Sequence, residues 1–182
     1  MSDTTDIDTR QIGADNENTA LVFNDEDNIE DMYLTFGLAA EEYGIGIGYV
    51  TEVVGMQRIM EVPDVPPFIK GVINLRGKVI PVMDVRIRFG MAEIDYTERT
   101  VIIVLDIDNV LIGLVVDHVS EVLEIPAASI DQVNQFGGGS DSVIKGYGKQ
   151  GDKVAIMLDI QRLVSDQAVD LRKMLESARN AA

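Results

Sequence analysis

Cysteine and tryptophan are absent from this 182-residue chain, and histidine occurs once, at His118. Without thiols there are no disulfides, no thiolate metal sites and no cysteine nucleophiles. With a single imidazole, a zinc site would need mostly carboxylates, an arrangement zinc rarely takes. Aromatics make up only 5% of residues. That is too few for the stacking platforms that bind single-stranded nucleic acid, and with no tryptophan a groove for proline-rich peptides lacks its usual lining. No apolar run approaches the roughly 18 residues that span a bilayer, and the start of the chain has neither the basic residues nor the apolar stretch of a secretory signal. These absences lead us to expect a soluble, cytoplasmic, non-enzymatic protein with no cofactor, no metal, no nucleic-acid partner and no direct membrane insertion.

What is present is charge of one sign, unevenly placed. The net charge is −16. Residues 1–31 hold ten Asp or Glu against Arg10 alone, so an acidic, disordered tail is expected there. Against that background Lys70, Arg76, Lys78, Arg86 and Arg88 form a basic cluster opposed only by Asp84. The equivalent stretch later in the chain is more mixed, and the first cluster is therefore expected to present the more positive surface.

That equivalence comes from an internal repeat. Gly44 through Val54 lines up with Gly113 through Leu123; Ile69-Lys70-Gly71 matches Ile144-Lys145-Gly146; Lys78 through Val85 matches Lys153 through Ile160. The second copy carries extra residues in between, where Gly137-Gly138-Gly139-Ser140 reads as a loop. Two copies are too few for a solenoid, so the chain reads as a tandem duplication of one small unit. Each copy alone is marginal in size for an independent core, so the two are expected to share one.

The local patterns are mainly those of strands. Met32, Leu34, Phe36 and Leu38 alternate with Tyr33, Thr35 and Gly37, which predicts a strand with one wet face. Val101–Leu105 and Val110–Val116 are nearly continuous apolar runs, as in strands buried on both sides, and are expected where the halves meet. Gly44, Gly46 and Gly48 occupy one strand face, where a close approach or a sharp bend is expected. One helix is predicted, over about 165–178, with Ser165 as its cap. The expected architecture is mainly β: two short barrels sharing a core, over about 32–95 and 96–164, followed by that helix.

Residues with catalytic potential are few. His118 aligns with Tyr49 in the repeat, which points to a structural position. Glu52 and Glu121 are also repeat partners, so duplication explains the pair without acid–base chemistry. Asp106, Asp108 and Asn109 read as turn residues. The segment that differs most between copies is Val72–Gly77, an alternating stretch ending in Arg76 at a glycine turn; its counterpart is an ordinary polar hairpin. Residues shared by both copies serve the common fold, and copy-specific residues are freer to bind. Arg76 therefore stands out, as an arginine that fixes Glu52 or contacts a partner.

The run Ile69-Lys70-Gly71-Val72-Ile73-Asn74-Leu75-Arg76-Gly77-Lys78-Val79-Ile80-Pro81-Val82-Met83-Asp84-Val85-Arg86 closely resembles the signature of the CheW family of chemotaxis coupling proteins. Glu42-Tyr43-Gly44-Ile45, Glu52-Val53, Asp95-Tyr96 and Val115-Val116-Asp117 followed by Val119-Ser120 fit the same pattern in order. The resemblance runs from Met32 to the C-terminal helix. It implies two five-stranded SH3-like barrels, with strands possible to exchange between them. It also implies an adaptor joining methyl-accepting chemoreceptors, by their cytoplasmic tips, to the regulatory domain of a CheA-type histidine kinase in membrane-associated arrays. Carried over by position, Val50, Glu52, Gly71 and Arg76 resemble the receptor-binding region, a groove between the halves, and Gly55 resembles a kinase-binding position. The absence of a following receiver domain argues against the CheV-type variant. The alternative reading is an SH3- or OB-like peptide-binding module outside chemotaxis.

Overall fold

The computed structural model of the chain describes residues 29–132 and 142–165. Most of the acidic tail, the glycine-rich insertion and all but the first residue of the expected 165–178 helix lie outside them. A 3-10 turn at Ile29–Asp31 leads into β1, so regular structure begins just inside the stretch expected to be tail.

Eleven strands follow: β1 (Met32–Leu38), β2 (Glu41–Gly46), β3 (Val50–Gly55), β4 (Ile69–Leu75), β5 (Lys78–Asp84), β6 (Val101–Ile107), β7 (Val110–Val116), β8 (His118–Glu124), β9 (Ile130–Gln132), β10 (Ile144–Gln150) and β11 (Lys153–Leu158). They form a six-stranded sheet, β8-β1-β2-β11-β10-β9, and a five-stranded sheet, β3-β6-β7-β5-β4. The sixth strand is the short β9; its counterpart near Met60 makes only an isolated bridge to Val72.

The sheets do not follow the halves of the sequence. Hairpin β1–β2 sits among strands of the second copy, and hairpin β6–β7 among strands of the first. Each visiting hairpin is received by a parallel pairing at an equivalent place: Val82 opposite Gly113, and Met157 opposite Gly44. The duplicated units have exchanged their first hairpins.

This exchange explains the burial pattern. One face of β6 and β7 (Ile103, Leu105, Leu114, Val116) meets one face of β1 and β2 (Leu34, Phe36, Leu38, Ile45) in the largest core cluster. The opposite faces supply separate interiors. Ile102, Val104 and Val115 join Val54, Ile73, Leu75, Ile80 and Val82, so all five strands of one sheet converge on a single cluster. Tyr33, Ile125, Ala155 and Met157 form the smaller interior of the other sheet. Val101–Leu105 and Val110–Val116 are thus buried on both sides, as their composition requires.

The expectation of a wet face on β1 is corrected: Tyr33 is 7% and Thr35 2% exposed. Thr35 is tolerated there because its hydroxyl donates to the Glu121 carbonyl (2.9 Å) and accepts from the Glu121 amide (3.2 Å). The close approach expected along the glycine face occurs at Gly44, where an added side chain would press on the end of Met157; Gly48 faces open space.

Two helical turns end the copies at the same place. Asp84 caps α1 (Val85–Arg88), accepting from the Ile87 amide, and Asp159 accepts from the Arg162 amide at the start of helical residues 160–165. Residues 160–165 are helical, and the Ser165 hydroxyl donates back to the Arg162 carbonyl. The buried Asp84 is further held by the Tyr96 hydroxyl at 2.9 Å, which anchors the segment before β6.

Because neither sheet is complete without strands from both copies, unfolding should be one cooperative event. Leu114→Ala, in the shared core, should cost about 2–5 kcal/mol and lower a single transition in urea denaturation. Two separated transitions would contradict this architecture.

Tyr96 supplies a second expectation. Its phenol is pushed above the ordinary value of 10.0, chiefly by burial and then by the Asp84 hydrogen bond. A raised folded-state value means stability that is complete below about pH 10 and is lost as the pH climbs past it. Circular-dichroism melts should therefore fall above about pH 10, less steeply in Tyr96→Phe. Burial also raises Tyr33 and Tyr43, so part of the slope should persist.

Candidate functional site

The two central residues of the β4–β5 hairpin, Arg76 and Gly77, both have positive φ, 50° and 83°. A tight hairpin turn asks for that handedness because it matches the twist of the flanking strands. Gly77 adopts it freely, whereas a side-chain-bearing residue there costs roughly 1–2 kcal/mol. Asn74 offsets part of this by accepting from the Gly77 amide at 2.9 Å. In the second copy the corresponding position is Gly151, also at positive φ. Arg76 thus occupies a position where its own repeat has glycine.

The guanidinium of Arg76 forms an ion pair with Glu52 on β3. This ties the β4–β5 tip to the opposite edge strand and shows how strongly the five-stranded sheet curls. The pair sits at the mouth of that sheet, beside a cavity of about 240 Å³ whose walls include Leu75, Lys78, Ile80 and Leu111. Val50, at the start of β3, pairs with Leu105 and packs against the shared core. A register shift between Val50 and Glu52 separates their directions. The structure therefore brings Glu52 and Arg76 together at one mouth, with Val50 adjoining toward the seam between the sheets.

Gly71 plays another part. It is buried, lies at a register shift in the β4–β5 ladder, and has φ of 137°. A methyl group there would run into the Met60 carbonyl, which bonds to Val72 across the same bridge. Gly146 faces the Asp131 carbonyl in the same way, so this glycine belongs to the common fold. Gly55 ends β3, exposed, with nothing near its Cα side. No positive φ demands glycine there, and the position is open surface.

The basic cluster is largely neutralised. Lys70 pairs with Glu93, Arg76 with Glu52, and Arg86 with Asp117. Arg88 lies over the Phe68 ring, 5.5 Å from its centroid. Lys78 alone of the five has neither an ion pair nor an aromatic partner among the described residues. Asp117 is a residue that sequence reasoning quoted without giving it a role. It accepts from Arg86 at 2.7 Å and from the Ala39 amide at 2.9 Å, clipping the β1–β2 turn to α1. His118 packs its ring over Gly37 and faces Glu42 at 3.6 Å, the structural position its repeat partner suggested.

The family model described as "CheW-like domain" matches residues 32–168. The chain belongs to the CheW-like family. It is 36% identical over 146 residues to the chemotaxis protein CheW of Klebsiella aerogenes, covering 80% of this chain and 88% of that one. The Helicobacter pylori CheW is 29% identical, covering 76% and 85%. Among solved structures, the scaffolding protein TtCheW of Thermoanaerobacter tengcongensis matches with a TM-score of 0.67 at 37% identity, over 73% of this chain and 91% of that one. These relatives support chemotaxis coupling and not a peptide-binding barrel outside it. Among the described residues no helix is long and apolar enough to cross a membrane.

Two substitutions separate the roles of the site residues. Arg76→Gly relieves the turn while removing an exposed pair, so stability should stay within about 1 kcal/mol of wild type. Gly71→Ala should cost about 3 kcal/mol or more, through strain and displaced backbone. Urea denaturation of both variants checks the contrast.

Proposed function

We propose that this CheW-like chain is a non-enzymatic adaptor joining the cytoplasmic tip of methyl-accepting chemoreceptors to the regulatory domain of a CheA-type histidine kinase. The observation that carries the reading is the Arg76–Glu52 pair. Its arginine sits at the tip of a hairpin in a backbone conformation that favours glycine, and the second copy has Gly151 in its place. A strained, copy-specific arginine beside an apolar-walled mouth suits recognition, with planar donors already oriented by the carboxylate.

In this reading the receptor's helical tip lays apolar side chains near Val50 and hydrogen-bonds to the Arg76–Glu52 pair. Gly71 shapes the strand that carries them. Gly55, exposed at the end of β3, belongs to the kinase-facing surface. His118 packs over Gly37 and faces Glu42. The adaptor works in the cytoplasm, recruited to membrane-associated receptor arrays, where modest contacts gain strength through multivalency.

The test is calorimetric titration with two partners: a cognate kinase regulatory domain and a receptor cytoplasmic fragment. Wild type should bind both. Arg76→Ala should weaken receptor binding about tenfold or more, as loss of a charged hydrogen bond implies, and leave kinase binding and the melting temperature unchanged. Failure of the folded wild type to bind the kinase domain would overturn the proposal.

A further inference from the structure

The duplication supplies an internal control for the mouth of the five-stranded sheet. The six-stranded sheet has an equivalent mouth, beside a cavity of about 250 Å³ whose lining includes Glu121, Leu123, Lys153 and Val154. Glu121 corresponds to Glu52, and Lys153 to Lys78. In the second mouth Lys153 forms the ion pair with Glu121. In the first, Arg76 reaches in from the turn and takes Glu52. The lysine equivalent to Lys153 therefore does not hold this carboxylate: Lys78 lines the same mouth, exposed, with no ion pair among the described residues.

Around Lys78 the lining includes the apolar Leu75, Ile80, Val104 and Leu111, with Thr51 beside them. The remaining charge at this mouth is Asp106, whose carboxylate accepts from the Asn109 amide (2.9 Å) in its own turn. An ammonium without a carboxylate partner beside an apolar recess suits an apolar side chain with an acidic residue near it. Resting on the adaptor reading above, we propose that Lys78 is a specificity-determining contact for the receptor. It takes an Asp or Glu of the receptor tip whose neighbouring apolar side chain covers Leu75 and Leu111. Arg76 is already committed to Glu52, so Lys78 is the cation at this mouth that reads charge on the partner.

An exposed rim charge acts mainly on encounter and is screened by salt. The probe is a receptor cytoplasmic-tip fragment, titrated against the full chain at low and high ionic strength. Lys78→Gln should weaken binding about three- to fivefold at low salt, with the difference vanishing at about 0.5 M salt. Lys78→Arg should bind as wild type does, and so should Lys153→Gln, the twin on the other mouth. Lys78→Glu should lose more, and changing one acidic residue of the fragment to lysine should restore it.

Equal binding by wild type, Lys78→Gln and Lys78→Glu would overturn the assignment while leaving the adaptor reading intact. So would an equal loss in Lys153→Gln, which would mark a general charge effect, or a loss seen only against the kinase domain. A wild type that ignores the receptor fragment at every salt concentration would remove the adaptor reading itself.

Discussion

The exchange of hairpins between the two copies is the constraint on which the rest of the structure depends. It presses β1–β2 against β6–β7 so that four strands are covered on both faces, and the largest apolar cluster lies between them. Three polar side chains in or beside this seam are provided for. Thr35 exchanges two hydrogen bonds with one residue of β8, and Asp84 caps α1 while accepting from Tyr96. Asp117 joins the β1–β2 turn to Arg86. Much of the stability is therefore held in common, beside the smaller interior on the far face of each sheet.

With stability shared, the two open ends are free to diverge. Both mouths keep a glutamate and a lysine at matching positions, yet only one pairs them with each other. The arginine that enters the first mouth does so from a turn position that glycine fills in the second. The local backbone cost of that arrangement is small beside the shared core, so one end can carry recognition while its twin pairs its lysine and glutamate with each other.

Much of this was legible in the sequence because it is local or repeated. The duplication, the doubly buried runs at Val101–Leu105 and Val110–Val116, and the singularity of Arg76 all follow from reading residues in order. What escaped is what depends on distant partners. The alternation in β1 suggested a wet face because nothing nearby covers Tyr33 and Thr35; their cover comes from the second copy. The basic cluster looked unopposed because Glu52, Glu93 and Asp117 lie outside its window. The helical turn from Ile160 was missed although the repeated Asp84 and Asp159 marked both caps, because the following residues in copy one form only a four-residue helix.

The exchange also governs how the chain is made. Hairpin β1–β2 precedes the strands β3 to β10 in the chain, yet its parallel partner is β11. On the ribosome, β3, β4 and β5 emerge before the β6–β7 hairpin that lies between them in the finished sheet. The five-stranded sheet can therefore close once β7 has cleared the exit tunnel, while β1–β2 keeps an apolar face uncovered until β11 has emerged. Such long-range pairing is intrinsically slow and exposes unpaired edges during the wait. A translational pause after β7 would separate these two closures in time, one sheet assembling before the strands that could compete for its edges exist.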